Sequence, residues 1–238
     1  MIFIRSFVFN ILFYLNMIIW MVGCLPFFFF PKAYLLKAAR WWAQSNLWLL
    51  EVSAGVKHEF RYLERIPQGK ILVASKHQSF WETFTFFVFL DRPIFVLKKE
   101  LVWIPVFGWY LKKIGCIAVD RTAGDSAMRL MVAKAKKAKE NNRQIIIFPE
   151  GTRRALGAPP DYKRGVALLY RVLDVPCVPV GLNSGVCWPR RKFIRKPGTI
   201  VVEICEVIPP KKGRDEFLEQ LQSSIETTSE RLLYEQAG

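Results

Sequence analysis

From Ser6 to Pro31 the chain carries no charged side chain. Such a run must satisfy its backbone polar groups internally, as a helix, and give its side chains apolar surroundings. It reads Phe7 to Leu15 with one Asn, then Met17 to Val22. Residues 6–25 reach the ~20 apolar residues that a spanning helix needs. Phe27 to Phe30 prolong the stretch, and Pro26 and Pro31 break the helix 7–25. Lys32 to Glu51 is helical in composition, with Lys37, Arg40 and Gln44 beside Leu35, Leu36, Trp41, Trp42, Trp48 and Leu49. Tryptophan mixed with cations suits the headgroup layer. Two arrangements fit: helix 7–25 spans a bilayer once, or it pairs with helix 33–51 as a hairpin dipped into one leaflet. Arg5 stands alone before the run, whereas Lys32, Lys37 and Arg40 follow it. The positive-inside tendency places the bulk of the chain in the cytoplasm, on an inner (cytoplasmic) membrane.

A cleaved signal is the competing reading. Val22-Gly23-Cys24 looks like the end of a bacterial lipoprotein signal, but Leu-Pro-Phe-Phe-Phe-Phe follows where a polar tether is needed. The length of 238 residues predicts one domain plus an appendage: residues 1–53 as membrane-anchoring helices and 54–238 as the globular part. With 52% apolar residues the chain is neither disordered nor collagen-like. The net charge of +15, eight Trp and nineteen Phe point to a bilayer surface or an anionic lipid as readily as to nucleic acid. No stacking platform or recognition-helix pattern supports nucleic acid. Five scattered Cys without Cys-x-x-Cys, and only two His, leave no zinc constellation and predict reduced thiols.

Beyond residue 54, short apolar runs alternate with helical stretches. Predicted strands are Val56–Tyr62, Ile71–Ser75, Ile94–Leu97, Ile117–Val119, Ile145–Phe148, Cys177–Leu182 and Thr199–Val207. Predicted helices are Trp81–Leu90, Ile104–Lys113, Asp125–Asn141, Arg164–Leu173 and Asp215–Gln236. This alternation implies an α/β fold with a mixed, largely parallel sheet flanked by helices. Function in such sheets gathers where strands end.

Four strand ends carry chemistry. His77 follows strand 71–75, and Glu82 opens the next helix, close enough to steer one imidazole nitrogen while the other takes a proton. That is the base and its orienting acid without a protein nucleophile, which suits a substrate hydroxyl as the nucleophile. Ser79-x-x-Glu82 is also a capping box, so Glu82 alone could be a helix cap. Phe148-Pro149-Glu150-Gly151-Thr152-Arg153-Arg154 follows the most apolar strand and offers a hydroxyl, backbone N–H groups and guanidinium groups to an anion. Gly115 to Arg121 ends another strand on an acid and an Arg. Val175-Pro176-Cys177-Val178-Pro179-Val180 reads only as a strand with edge or bulge character. His58, in strand 56–62, reads as structural, and Lys134, Lys136, Lys137 and Lys139 as the solvated face of a helix. The stretch Trp188 to Lys196, aromatic and basic, is a second candidate membrane contact.

Together these motifs resemble the glycerolipid acyltransferase family, of the 1-acyl-sn-glycerol-3-phosphate acyltransferase type, over residues 55–210. Lys98-Lys99-Glu100-Leu101 with Ile104-Pro105-x-Phe107-Gly108-Trp109 is similar to that family's stretch between its first two motifs. The resemblance implies the α/β acyltransferase fold and transfer of a fatty acyl group from a thioester. It implies His77 as base and Glu82 as its orienting acid. It implies that Arg121, Glu150, Gly151, Thr152 and Arg153 shape the site for the acceptor's phosphate, and that Lys98 sits near the reacting centre. The chain departs from the family pattern with Glu82 where Asp is usual, an arm longer by ~1.5 Å, and with Lys76 where Asn is usual.

The reaction expected is attack by the sn-2 hydroxyl of 1-acyl-glycerol-3-phosphate on the thioester of acyl-CoA or acyl carrier protein, giving phosphatidic acid. It needs neither metal, cofactor nor acyl-enzyme. The partners implied are membrane lipids, a lysophospholipid acceptor and the thioester donor, with no nucleic acid. Two alternatives stand beside it: an acyltransferase for another lysolipid, such as a lyso-ornithine lipid, and a non-catalytic binder of anionic lipid.

Overall fold

The computed structural model describes residues 1–237. Strands β1 (Val56–Arg61), β2 (Ile71–Ser75), β3 (Pro93–Lys98), β4 (Ile117–Val119), β5 (Gln144–Ile147), β6 (Cys177–Leu182) and β7 (Gly198–Ile204) form one sheet. Their order is β1-β7-β6-β2-β5-β3-β4. β6, β2, β5, β3 and β4 run parallel, so their C-terminal ends share one edge. β7 is antiparallel to β6, and β1 is parallel to β7. The sheet is the mixed, largely parallel one expected, with a reversed pair at one side.

Alternate residues of the central strands feed two apolar cores, as the period of two requires. Ile71 and Val73 face the core shared with Phe84 and Leu47, whereas Leu72 and Ala74 face the core shared with Met131, Leu169 and Phe217. Helices α3 (Glu82–Phe89), α5 (Gly124–Glu140), α6 (Arg164–Leu173) and α8 (Arg214–Ala237) match the sequence expectations within a residue or two. The helix expected from Ile104 begins later, as α4 (Phe107–Ile114), because Pro105 and a positive φ at Val106 interrupt it. A short helix, α7 (Ser184–Cys187), was not anticipated; four residues are too few for a periodic signal.

At the N-terminus, α1 (Ile2–Gly23) and α2 (Lys32–Leu49) pair through the turn 25–31. α1 is long and apolar enough to cross a membrane, and it touches the globular part at a few positions near both of its ends while most of it stays uncovered. Phe9 and Phe13 are buried on Phe80, Phe84 and Trp188. Ser6 Oγ accepts the Arg195 N–H (2.8 Å), and the Arg195 guanidinium donates to Asn10 Oδ1 (3.0 Å). At the other end, Tyr110 donates its hydroxyl proton to the Met21 carbonyl (2.6 Å), and Lys113 to the Phe28 carbonyl (2.9 Å). The outer face keeps Phe3, Ile4, Phe7, Ile11, Leu15 and Ile19 exposed, and α2 adds a stripe of Tyr34, Trp41 and Trp48.

Candidate active site

His77 stands two residues beyond β2, at the edge where five parallel strands end. Its imidazole stacks on Phe148, the residue after β5, with ring centres 3.9 Å apart and planes at 14°. The Arg154 N–H donates to the His77 carbonyl (2.8 Å), tying the loop after β5 to the loop after β2. His77 Nδ1 is buried without a hydrogen-bond partner and lies 4.0 Å from Glu82 Oε1. Hydrogen bonds of this kind are often long without substrate and tighten on binding. With Nδ1 turned to Glu82, Nε2 is the nitrogen left to meet a substrate.

Glu82 is fully buried. Its Oε1 accepts the backbone N–H of Gln78 (2.7 Å) and Ser79 (2.9 Å) and the Ser184 hydroxyl (2.7 Å). Ser79 Oγ in turn accepts the Trp81 N–H (3.1 Å). Glu82 thus reaches back to the Ser79 N–H as in one half of a capping box, while Ser79 bonds Trp81 in place of Glu82, and the approach to His77 Nδ1 is 4.0 Å. Burial pushes Glu82 up to about 7, and the three donors pull against it. Burial holds His77 well below its ordinary value, reinforced by the positive fields of Arg153, Arg121 and Arg190. A neutral imidazole at neutral pH is what a general base requires. Ser184, from α7, was not found by sequence reasoning; a lone Ser after a strand gives no signal.

The loop after β5 turns tightly: the Gly151 N–H donates to the Phe148 carbonyl (2.9 Å), with Pro149 at the second position of the turn. Gly151 has φ of +67°, which favours glycine. Its missing side chain leaves the Arg121 guanidinium carbon 4.0 Å from where a Cβ would stand. Arg121, from the end of β4, thus reaches the same loop. The half-buried Arg153 has its guanidinium 5.3 Å from the centre of the Phe80 ring, and its carbonyl accepts a hydrogen bond from Arg190 (2.7 Å). Thr152, partly buried, lies between them in sequence. Three arginines from three loops put a positive field on one imidazole, a setting for an anion.

Two of the expected residues sit elsewhere. Glu150 does not face that cradle: its carboxylate is buried against Lys76 Nζ (3.2 Å). Lys76 also meets Glu226 of α8 (2.8 Å), whose Oε1 accepts the Tyr162 hydroxyl (2.9 Å). Glu150 acts on the loop from behind. Lys98 is half-exposed and paired with Glu100 (3.2 Å), while Lys99, its neighbour, holds Asp120 beside Arg121. A groove of about 870 Å³ between α8 and residues 155–160 includes Lys76, Glu219, Glu226 and Glu230 but neither His77 nor any arginine. It does not suit an anion. The thiols are poor nucleophiles here, burial pushing Cys116 up to about 11 and Cys177 higher still.

A family model described as Acyltransferase matches residues 57–183. The chain is 35% identical to a 1-acyl-sn-glycerol-3-phosphate acyltransferase of Pseudomonas aeruginosa over 205 residues, 84% of this chain and 79% of that one. It is 28% identical to the human 1-acyl-sn-glycerol-3-phosphate acyltransferase beta over 159 residues, covering 65% of this chain and 57% of the relative. In fold it is similar to the crystal structure of the 1-acyl-sn-glycerophosphate (LPA) acyltransferase from Thermotoga maritima. The TM-score is 0.80 at 22% identity, with 98% of this chain and 99% of that one covered.

Proposed function

Since the chain belongs to the Acyltransferase family, we propose that it transfers a fatty acyl group from a thioester to the sn-2 hydroxyl of 1-acyl-glycerol-3-phosphate, making phosphatidic acid. The observation that carries this reading is His77, Nδ1 turned to the buried Glu82, standing in the field of Arg121, Arg153 and Arg190. The acceptor's phosphate lies among the arginines. His77 Nε2 takes the hydroxyl proton as the oxygen attacks the thioester carbonyl, and Glu82 stabilises the imidazolium. Charge develops on the carbonyl oxygen and is met by backbone N–H groups or the nearby cations. The C–S bond breaks, and the departing thiolate recovers the proton from His77. The donor is acyl-CoA or acyl carrier protein.

The reaction belongs at a bilayer surface, on the cytoplasmic face of the inner membrane. Residues 1–53 serve as the anchor and 54–238 as the acyltransferase part. Of the two arrangements the sequence allows, we favour the one-leaflet hairpin, because both ends of α1 touch the globular part. The path from membrane to site is short: Phe13 of α1 packs edge-on against Phe80 (5.8 Å), over which Arg153 sits.

The test is an assay of labelled acyl thioester with lysophosphatidic acid. His77→Ala should lose ~10²–10⁴-fold in rate, the usual worth of a general base, and Glu82→Gln should lose most of its activity too. Full transfer by His77→Ala would overturn the assignment. Arg153→Ala assayed on a panel of lysolipids should lose most on phosphate-bearing acceptors.

A further inference from the structure

The connection after β3, with the first turn of α4, takes no part in that chemistry. Yet Leu101, Trp103, Ile104 and Trp109 are all exposed, the densest such group outside the N-terminal helices among the described residues. Trp103 is 66% exposed. Large apolar patches on a surface mark interaction sites. This one has a fixed shape. The Phe107 N–H donates to the Pro105 carbonyl (2.6 Å) across Val106, at φ +61° and ψ −57°, a tight turn that a β-branched residue rarely adopts. Gly108 passes so near that a Cβ there would lie 2.9 Å from Val102 Cα.

Its place in the fold suggests its occupant. Phe28 and Tyr110 pack with ring centres 4.8 Å apart, and the bonds from Tyr110 to Met21 and Lys113 to Phe28 seat the segment beside the turn between α1 and α2. Phe29 and Phe30 are exposed in that turn. The two apolar surfaces are therefore neighbours. Lysines 98, 99, 112 and 113 flank the aromatic residues, opposed by Glu100 and by Asp120. Lys99 lies 5.5 Å from the centre of the Trp103 ring and pairs with Asp120, the residue before Arg121. Aromatic side chains ringed by cations match an anionic interfacial layer.

We propose that residues 101–109 form a second membrane-inserting element, separate from the helix pair, which seats in an anionic leaflet and holds the Arg121 side of the cradle at the headgroup plane. This rests on the reading that the acceptor is a membrane lipid. Tryptophan quenching by lipids brominated near the glycerol end tests insertion without any turnover. In mixed phosphatidylglycerol and phosphatidylcholine vesicles, the full-length protein should be quenched more than its W103F/W109F variant. Equal quenching overturns the proposal, as does quenching that is no stronger than in phosphatidylcholine alone.

A second variant, W103E/I104E, should lower transfer to a vesicle-embedded acceptor by roughly tenfold, the order expected when two apolar side chains leave the interface. Transfer to a short-chain acceptor monomeric in solution should not change. Equal losses on both acceptors would mean a folding role and overturn it. A fall in sedimenting mass with vesicle quenching untouched would mean a contact between copies and overturn it also. A protein inert on every acceptor but fully quenched would refute the enzymatic reading and leave the insertion standing.

Discussion

At the scale of single residues, His77 and Glu82 pull the molecule's pH response in opposite directions. Glu82 is raised from 4.5 to about 7, so between those values the folded state binds more protons than the unfolded chain. Stability from this group falls as pH rises through that window. His77, lowered below 6.5, binds fewer protons when folded, so its contribution rises with pH up to about 6.5. Removing the carboxyl isolates one limb: Glu82→Gln should gain on the wild type between about pH 4.5 and pH 7, by up to about 3 kcal/mol, in thermal unfolding across that range. A flat difference would sink the assignment of the buried charge. Arg153 lowers His77's pKa and favours ionised Glu82. Arg153→Leu should therefore shift the acid limb of kcat/KM to higher pH, by ~0.5 to 1 unit for a partly screened charge. The pair titrates together, so the profile reports it as a unit.

Among elements, the motif-bearing strand ends were legible because each combines a buried apolar run with a sharp polar break: Ile71–Ser75 before His77, Ile145–Ile147 before Glu150. Parallel order then brings those ends to one edge. What lay outside the pattern were contacts made across long sequence distances by residues with no local peculiarity. Ser184 reaches Glu82 over 102 positions, and Lys76 reaches Glu226 over 150. Lys76 joins the His77 loop, the Glu150 loop and α8 in one largely buried cluster. Lys76→Met strands the Glu150 carboxylate with Arg154 at 3.8 Å as its remaining cation. Breaking a buried pair typically costs about 3–5 kcal/mol. Adding Glu226→Gln should recover part of that loss, since one of the two unpaired acids is then neutral. Denaturant unfolding of the single and double variants would show it, and simple additivity would refute the coupling.

For the molecule as a whole, the sequence pattern separates a greasy N-terminus from an α/β body, but the structure joins them in one core. Phe9 and Phe13 belong with Phe84, Trp188 and Val180. Hydropathy reads how apolar a helix is, not which of its faces meets protein, so this sharing was out of its reach. Deleting residues 1–23 should therefore yield a chain that pellets or elutes in the void volume of a sizing column, instead of a soluble enzyme; a monodisperse active truncation would disprove the shared core. The same joining governs the order in which the chain can be completed. β1, made early, has its only described neighbour in β7, about 140 positions later, and the aromatic wedge of α1 waits longer still for Trp188. Synthesis thus leaves β1 and the Trp188 side of the α1 wedge open long after α2, Phe80 and Phe84 have been made, a delay that slows folding. An apolar face of α1 that waits for its aromatic partner is one that a lipid surface would cover in the meantime.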